Sequence, residues 1–119
     1  MQLQLKKYRG QNSSTYTGRF AGEKARSELK LNSIDKTEEK IEFVIPAGTT
    51  SINPSFFLGL LYNSFKKLKS KDAFLKKYSF QYLDEDPLIK EILNENIDDA
   101  LREAELAYSG LSGFDQFIK

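Results

Sequence analysis

Alternating and periodic apolar positions divide the chain into six ordered segments. Residues 2–8 place Leu3 and Leu5 on one side and Gln2, Gln4 and Lys6 on the other, the pattern of a half-buried strand. Gly10 to Thr17 is polar and reads as a loop. A helix is predicted from about Ala21 to Leu31, with Ala25, Leu29 and the neighbouring Phe20 as its apolar edge. Its outer side carries Glu23, Lys24, Arg26 and Glu28, and Asn32 to Thr37 ends it in a solvated loop. Ile41-Glu42-Phe43-Val44-Ile45 is the strongest strand. Four of its five residues are β-branched or aromatic, which predicts a central strand buried on both faces.

Pro46 and Gly48 stop that strand, and Thr49-Thr50-Ser51 continues as a loop. Asn53 then suits a helix N-cap and Pro54 the first helical position, where a missing N–H costs nothing. Phe57, Leu60, Leu61, Ser64, Phe65 and Leu68 recur at spacings of three and four, and Phe56 widens their core-facing stripe. Lys69 to Asp72 interrupts the pattern, and Phe74 and Leu75 resume a short apolar segment. Tyr78 to Leu83 alternates aromatic and polar residues and predicts a strand. Asp84-Glu85-Asp86 forms a turn, and Pro87 opens a last helix with Ile89, Ile92, Leu93, Ile97, Ala100, Leu101 and Ala104 inward.

The order strand, helix, strand, helix, strand, helix implies a small α/β layer with a mixed or parallel sheet and helices packed mainly on one face. Residues 1–107 form a single domain in this scheme, and 108–119 a C-terminal tail. Leu111, Phe114, Phe117 and Ile118 of the tail are expected to dock on the domain, because large exposed apolar patches are uncommon. The alternative is a hydrophobic peptide offered to a partner.

Composition narrows the function. The chain has 119 residues, enough for one core, and nine Phe and six Tyr to fill it. It contains no Cys, which removes disulfides and thiolate chemistry and fits a reducing compartment. It also contains no His, so the commonest general acid/base and metal ligand are both missing. A non-enzyme without cofactor or metal is therefore expected. A net charge of +1 argues against a nucleic-acid binder. No apolar run approaches a membrane span and the first residues lack a signal-peptide core, so the cytoplasm is the expected location. Gly18, Gly22 and Gly48 lack phosphate-loop spacing. Arg19 and Arg26 could meet an anion, but their simplest role is a solvated surface.

The charges are sorted along the chain. Residues 64–78 hold six Lys against Asp72 alone, whereas residues 84–105 hold nine acids against Lys90 and Arg102. Two solvated helix faces explain this sorting, and so does steering of a charged partner.

Three stretches, in order, carry a family resemblance: Gly18 to Leu29, Ile41 to Leu58, and Tyr78 to Ile89. Together they resemble the STAS-like domains of unknown function, relatives of bacterial anti-sigma-factor antagonists. The resemblance implies a STAS-like layer acting as a regulatory protein-interaction module, with a histidine-kinase-like ATPase as the protein partner. It places Asn53 at the family's usual Asp and Ser55 at the phospho-acceptor in the first turn of the helix after the central strand. Pro54 stands where the family has a small polar residue, and Phe56 where it has Gly.

The expected partner-binding residues are thus Ser51, Asn53, Ser55 and Phe56, in the loop 46–52 and the helix start that follows. Independently of any family, a phosphate on Ser55 would face free first-turn N–H groups and the positive end of the helix dipole. Capping alone also explains these residue types. Two alternatives remain. One is an accessory or inhibitor protein from a phage or defence locus that binds a larger complex through its charged faces. The other is a Mg²⁺-dependent enzyme using Asp84, Glu85 and Asp86, although a turn before Pro87 accounts for those acids without a metal.

Overall fold

A computed structural model describes residues 1–9 and 13–109; the expected docking of the 108–119 tail concerns residues almost wholly outside them. Three parallel strands, β1 (Gln2–Gln4), β3 (Ile41–Ile45) and β5 (Tyr78–Tyr82), form one sheet in the order β1-β3-β5. Leu3, Phe43 and Phe80 stand in register across it. The predicted central strand is therefore central. Every strand pairing among the described residues is parallel, the second of the two arrangements that the element order allowed.

One sheet face carries the core. Phe43 stacks between Tyr78 and Phe80, with centroids at 5.7 and 5.6 Å, and Phe57 closes on Phe80 at 6.0 Å. The opposite face is polar. Gln2 donates to Glu42 at 2.7 Å and to Gln81 at 3.3 Å, and Gln4 and Ser79 are exposed. Val44 is buried there but Glu42 is only half-buried, so burial on both faces holds for part of the central strand.

The helices are α1 (Arg19–Glu28), α2 (Leu31–Ile34), α3 (Pro54–Leu68), α4 (Lys71–Lys77) and α5 (Pro87–Ser109). α3 lies between α1 and α5 and contacts both. Ile45 and Phe80 of the sheet, Phe57 and Leu60 of α3 and Ile97 of α5 share one core. Three features depart from the sequence expectation. The first helix starts at Arg19 and breaks at Lys30, whose φ of 58° turns the chain so that Leu31 enters the core. α4 forms where only a short apolar segment was expected, capped by Ser70 accepting from the Ala73 N–H at 3.1 Å. Two loop segments also pair as a short parallel ladder, β2 (Thr15–Tyr16) with β4 (Ser51–Ile52).

α1 meets α3 backbone to backbone. A Cβ on Gly22 would stand 2.2 Å from the Phe56 carbonyl oxygen, and one on Gly59 would stand 2.2 Å from that of Arg19. Neither clash falls on a side chain that could move aside.

A buried polar network joins the same helices to the sheet. The Arg26 guanidinium makes five hydrogen bonds, to Asn32 twice, the Leu60 carbonyl, Ser64 and Asp35. Asp35 pairs with it at 2.7 Å and also accepts from Ser64 at 2.6 Å and from the Tyr78 hydroxyl. Both side chains are almost fully buried, at 7% and 2% exposure. Burial alone would raise the Asp35 pKa, but hydrogen bonds from Ser64, Tyr78 and Arg26 outweigh it and hold the carboxyl below its ordinary 3.8. Tyr78 shifts upward through burial and the Asp35 bond, and burial pushes Tyr16 up to about 12.

Gly22→Ala or Gly59→Ala is expected to cost about 3 kcal/mol or more in urea unfolding, because the backbones must separate to admit the methyl group. A change below about 0.5 kcal/mol, the range of ordinary surface substitutions, would contradict the close contact. The pKa directions predict losses of stability at both ends of the pH scale. The Asp35 contribution is complete above its unfolded value and is lost as pH falls through its lower folded value. The Tyr16 and Tyr78 contributions are complete below about pH 10 and are lost as pH rises through their higher folded values. Urea midpoints measured against pH should show both losses, with a shallower acid slope in Asp35→Asn.

Candidate partner-binding site at two helix starts

The loop from Pro46 to Asn53 is held at every turn. Thr49 donates to the Pro46 carbonyl at 2.9 Å, and Arg9 reaches the Thr49 hydroxyl at 2.9 Å. Thr50 meets Ser14 side chain to side chain at 2.8 Å, and Ser51 lies in register with Thr15. The Ile52 N–H donates to Asn96 of α5 at 2.9 Å, and the Asn53 N–H to the Tyr16 carbonyl at 2.8 Å. This is a fixed platform, as a binding surface on a rigid scaffold requires.

Asn53 is the N-cap of α3, its Oδ1 accepting from the Ser55 N–H at 2.9 Å and from the Ser55 hydroxyl at 2.7 Å. The Ser55 Oγ in turn accepts from the Gly18 N–H at 3.2 Å. Gly18 precedes α1 at φ 94° and supplies no side-chain cap. One hydroxyl therefore ties the starts of α1 and α3 together. Its hydrogen-bond partners among the described residues are the Gly18 N–H and the Asn53 side chain.

Of the four expected residues, Ser51, Asn53 and Ser55 lie together on this platform, with Asn53 exposed and both serines half-buried. Phe56 does not join them. It is 1% exposed, with its ring 5.0 Å from that of Tyr16, and it closes the core beneath the helix start. Its place as a surface aromatic is taken by Phe20, two residues after Gly18. At 79%, Phe20 is the most exposed large apolar side chain among the described residues. α1 buries Gly22, Ala25 and Arg26 against its neighbours, a stripe that leaves Phe20 outside. Small Gly22 and charged Arg26 disguised that stripe in the sequence.

The acids before α5 serve the backbone. Asp84 accepts from the Gly48 N–H at 3.1 Å and the Asp86 N–H at 3.0 Å, bonds that lower its pKa, and Asp86 accepts from the Leu88 N–H at 2.9 Å. Among the described residues, no group of three acidic side chains is placed to hold a metal. Glu91, Glu95, Asp98, Asp99, Glu103 and Glu105 are all exposed on α5. In the Lys-rich stretch, Lys77 is a tether, donating to the Thr37 and Glu39 carbonyls at 2.6 and 2.9 Å. No described helix is long and apolar enough to cross a membrane. No family model matches the chain, and neither a curated protein nor a solved structure matches it.

The two aromatics should separate sharply in unfolding experiments. Phe56→Ala is expected to cost about 3–5 kcal/mol, and Phe20→Ala to stay within about 0.5 kcal/mol of the parent protein. Asn53→Ala should cost about 1 kcal/mol through loss of the cap.

Proposed function

We propose that this chain is a non-catalytic regulatory domain that recognises a protein partner through the joined starts of α1 and α3. The observation that carries this reading is the exposed Phe20 ring, two residues after the Gly18 N–H that bonds Ser55. An exposed aromatic on a rigid frame has the make-up of an interface anchor. Ser51, Asn53 and Ser55 supply the polar part.

In keeping with its resemblance to STAS-like domains, the partner is a histidine-kinase-like ATPase in the cytoplasm and Ser55 is its phospho-acceptor. Two features support Ser55 in that role. Phe56 is turned into the core, so its ring does not stand over Ser55 where a kinase would approach. The start of α1, with no side-chain cap, lies beside the hydroxyl. A phosphate there would add charge and acceptor oxygens facing the uncapped N–H groups at the start of α1, which turns modification into a change at the binding surface.

A second reading rests on the exposed acids of α5: an accessory or inhibitor protein from a phage or defence locus, binding a larger complex through that face. Affinity capture from the native host separates the two. Phe20→Asp should cut recovery of the partner at least about tenfold, as expected for an interface anchor, while leaving the urea midpoint unchanged. Ser55→Asp should weaken capture and Ser55→Ala should retain it. Full capture by both Phe20→Asp and Ser55→Asp would sink the proposal. Capture that instead depends on Glu91, Glu95 and Asp98 would favour the second reading.

A further inference from the structure

The far ends of α3 and α5 frame an open groove of about 570 Å³. Phe65, Leu106 and Tyr108 give it apolar walls, and Lys69, Arg102 and Glu105 surround them with charge. The Tyr108 ring stands edge-on to Phe65 at 6.1 Å, yet Tyr108 and Leu106 remain 42% and 44% exposed. α5 buries Leu93, Ile97, Ala100, Leu101 and Ala104, then continues beyond its last fully covered position. Its final described residue, Ser109, itself lines the groove.

We propose that this groove is the docking site for the apolar stretch Leu111–Ile118 of the same chain, which lies outside the described residues. Continuity is the first argument. The stretch begins two residues after a residue of the groove wall, and its eight residues span up to roughly 26 Å when extended. Chemistry is the second. Leu111, Phe114, Phe117 and Ile118 offer apolar side chains to an apolar wall, and Asp115 offers a carboxylate to a groove flanked by Lys69 and Arg102. The third is the spacing around Gly110. Where glycine closes a helix, the residue after it commonly packs on the side chain five positions earlier. Leu111 follows Gly110, and five positions earlier stands Leu106, one of the two exposed apolar residues of the groove.

The chain contains no Trp, so a single Phe117→Trp substitution gives a unique fluorophore in the full-length protein. Docking in the same chain predicts blue-shifted emission and protection from iodide that persist over about a hundredfold dilution, as mass action requires of a contact within one molecule. Leu106→Asp in that background should restore solvent-like emission while far-ultraviolet circular dichroism stays unchanged. Phe114→Trp provides a second probe should Phe117→Trp perturb the fold. Three results would overturn the proposal: solvent-like emission with Leu106 intact, protection that survives Leu106→Asp, or protection lost on dilution. The last would assign the groove to a second copy of the chain.

Discussion

Two glycines set the distance between α1 and α3, and much of the molecule follows from that distance. With no Cβ at Gly22 or Gly59, the two helix backbones touch, and α1 lies flat against the helix that forms the centre of the layer. The Arg26 side chain can then reach the Leu60 carbonyl and Ser64 of α3. The same approach brings the Gly18 N–H to Ser55. It also turns Gly22, Ala25 and Arg26 inward and leaves Phe20 facing solvent.

The Arg26–Asp35 network secures this arrangement from the other side. It ties α1, the segment after α2, α3 and β5 through groups whose hydrogen-bonding capacity is filled within the protein. A buried ion pair of this kind adds little net stability over an apolar cluster of equal volume, but removing one partner leaves a stranded charge. Its larger effect is on specificity. Only one placement of α1 satisfies all five guanidinium bonds at once, which selects against slipped packings of a helix with little apolar surface of its own.

The two surfaces of interest lie at opposite ends of α3. Ser55 stands in its first turn and Phe65 near its last, and the 15-residue helix between is roughly 22 Å long. The partner-recognition surface and the groove beside the C-terminal stretch can therefore be altered separately. α3 connects them directly, and α5, which holds Ile52 through Asn96 and walls the groove, connects them as well.

Much of the architecture was legible because it rests on local physics. The β-branched and aromatic residues of Ile41–Ile45 required a buried central strand, and the alternation in Tyr78–Tyr82 required a one-sided one. Asn53 and Pro54 started α3 through capping and a fixed φ, which need no distant partner. Other features depend on what lies across the fold. Thr15–Tyr16 and Ser51–Ile52 become strands only by meeting each other, and Lys30 adopts its left-handed turn so that Leu31 can be buried. The exchange of Phe56 for Phe20 has the same origin. Sequence alone placed an aromatic at each of the two helix starts and identified Asn53 and Ser55 as the polar groups beside one of them. The helical period had already put Phe56 in the core-facing stripe of α3, but it also put Phe20 on the apolar edge of α1. That Phe20 meets solvent instead was decided by the tertiary structure, because the Gly22–Gly59 contact set the rotation of α1.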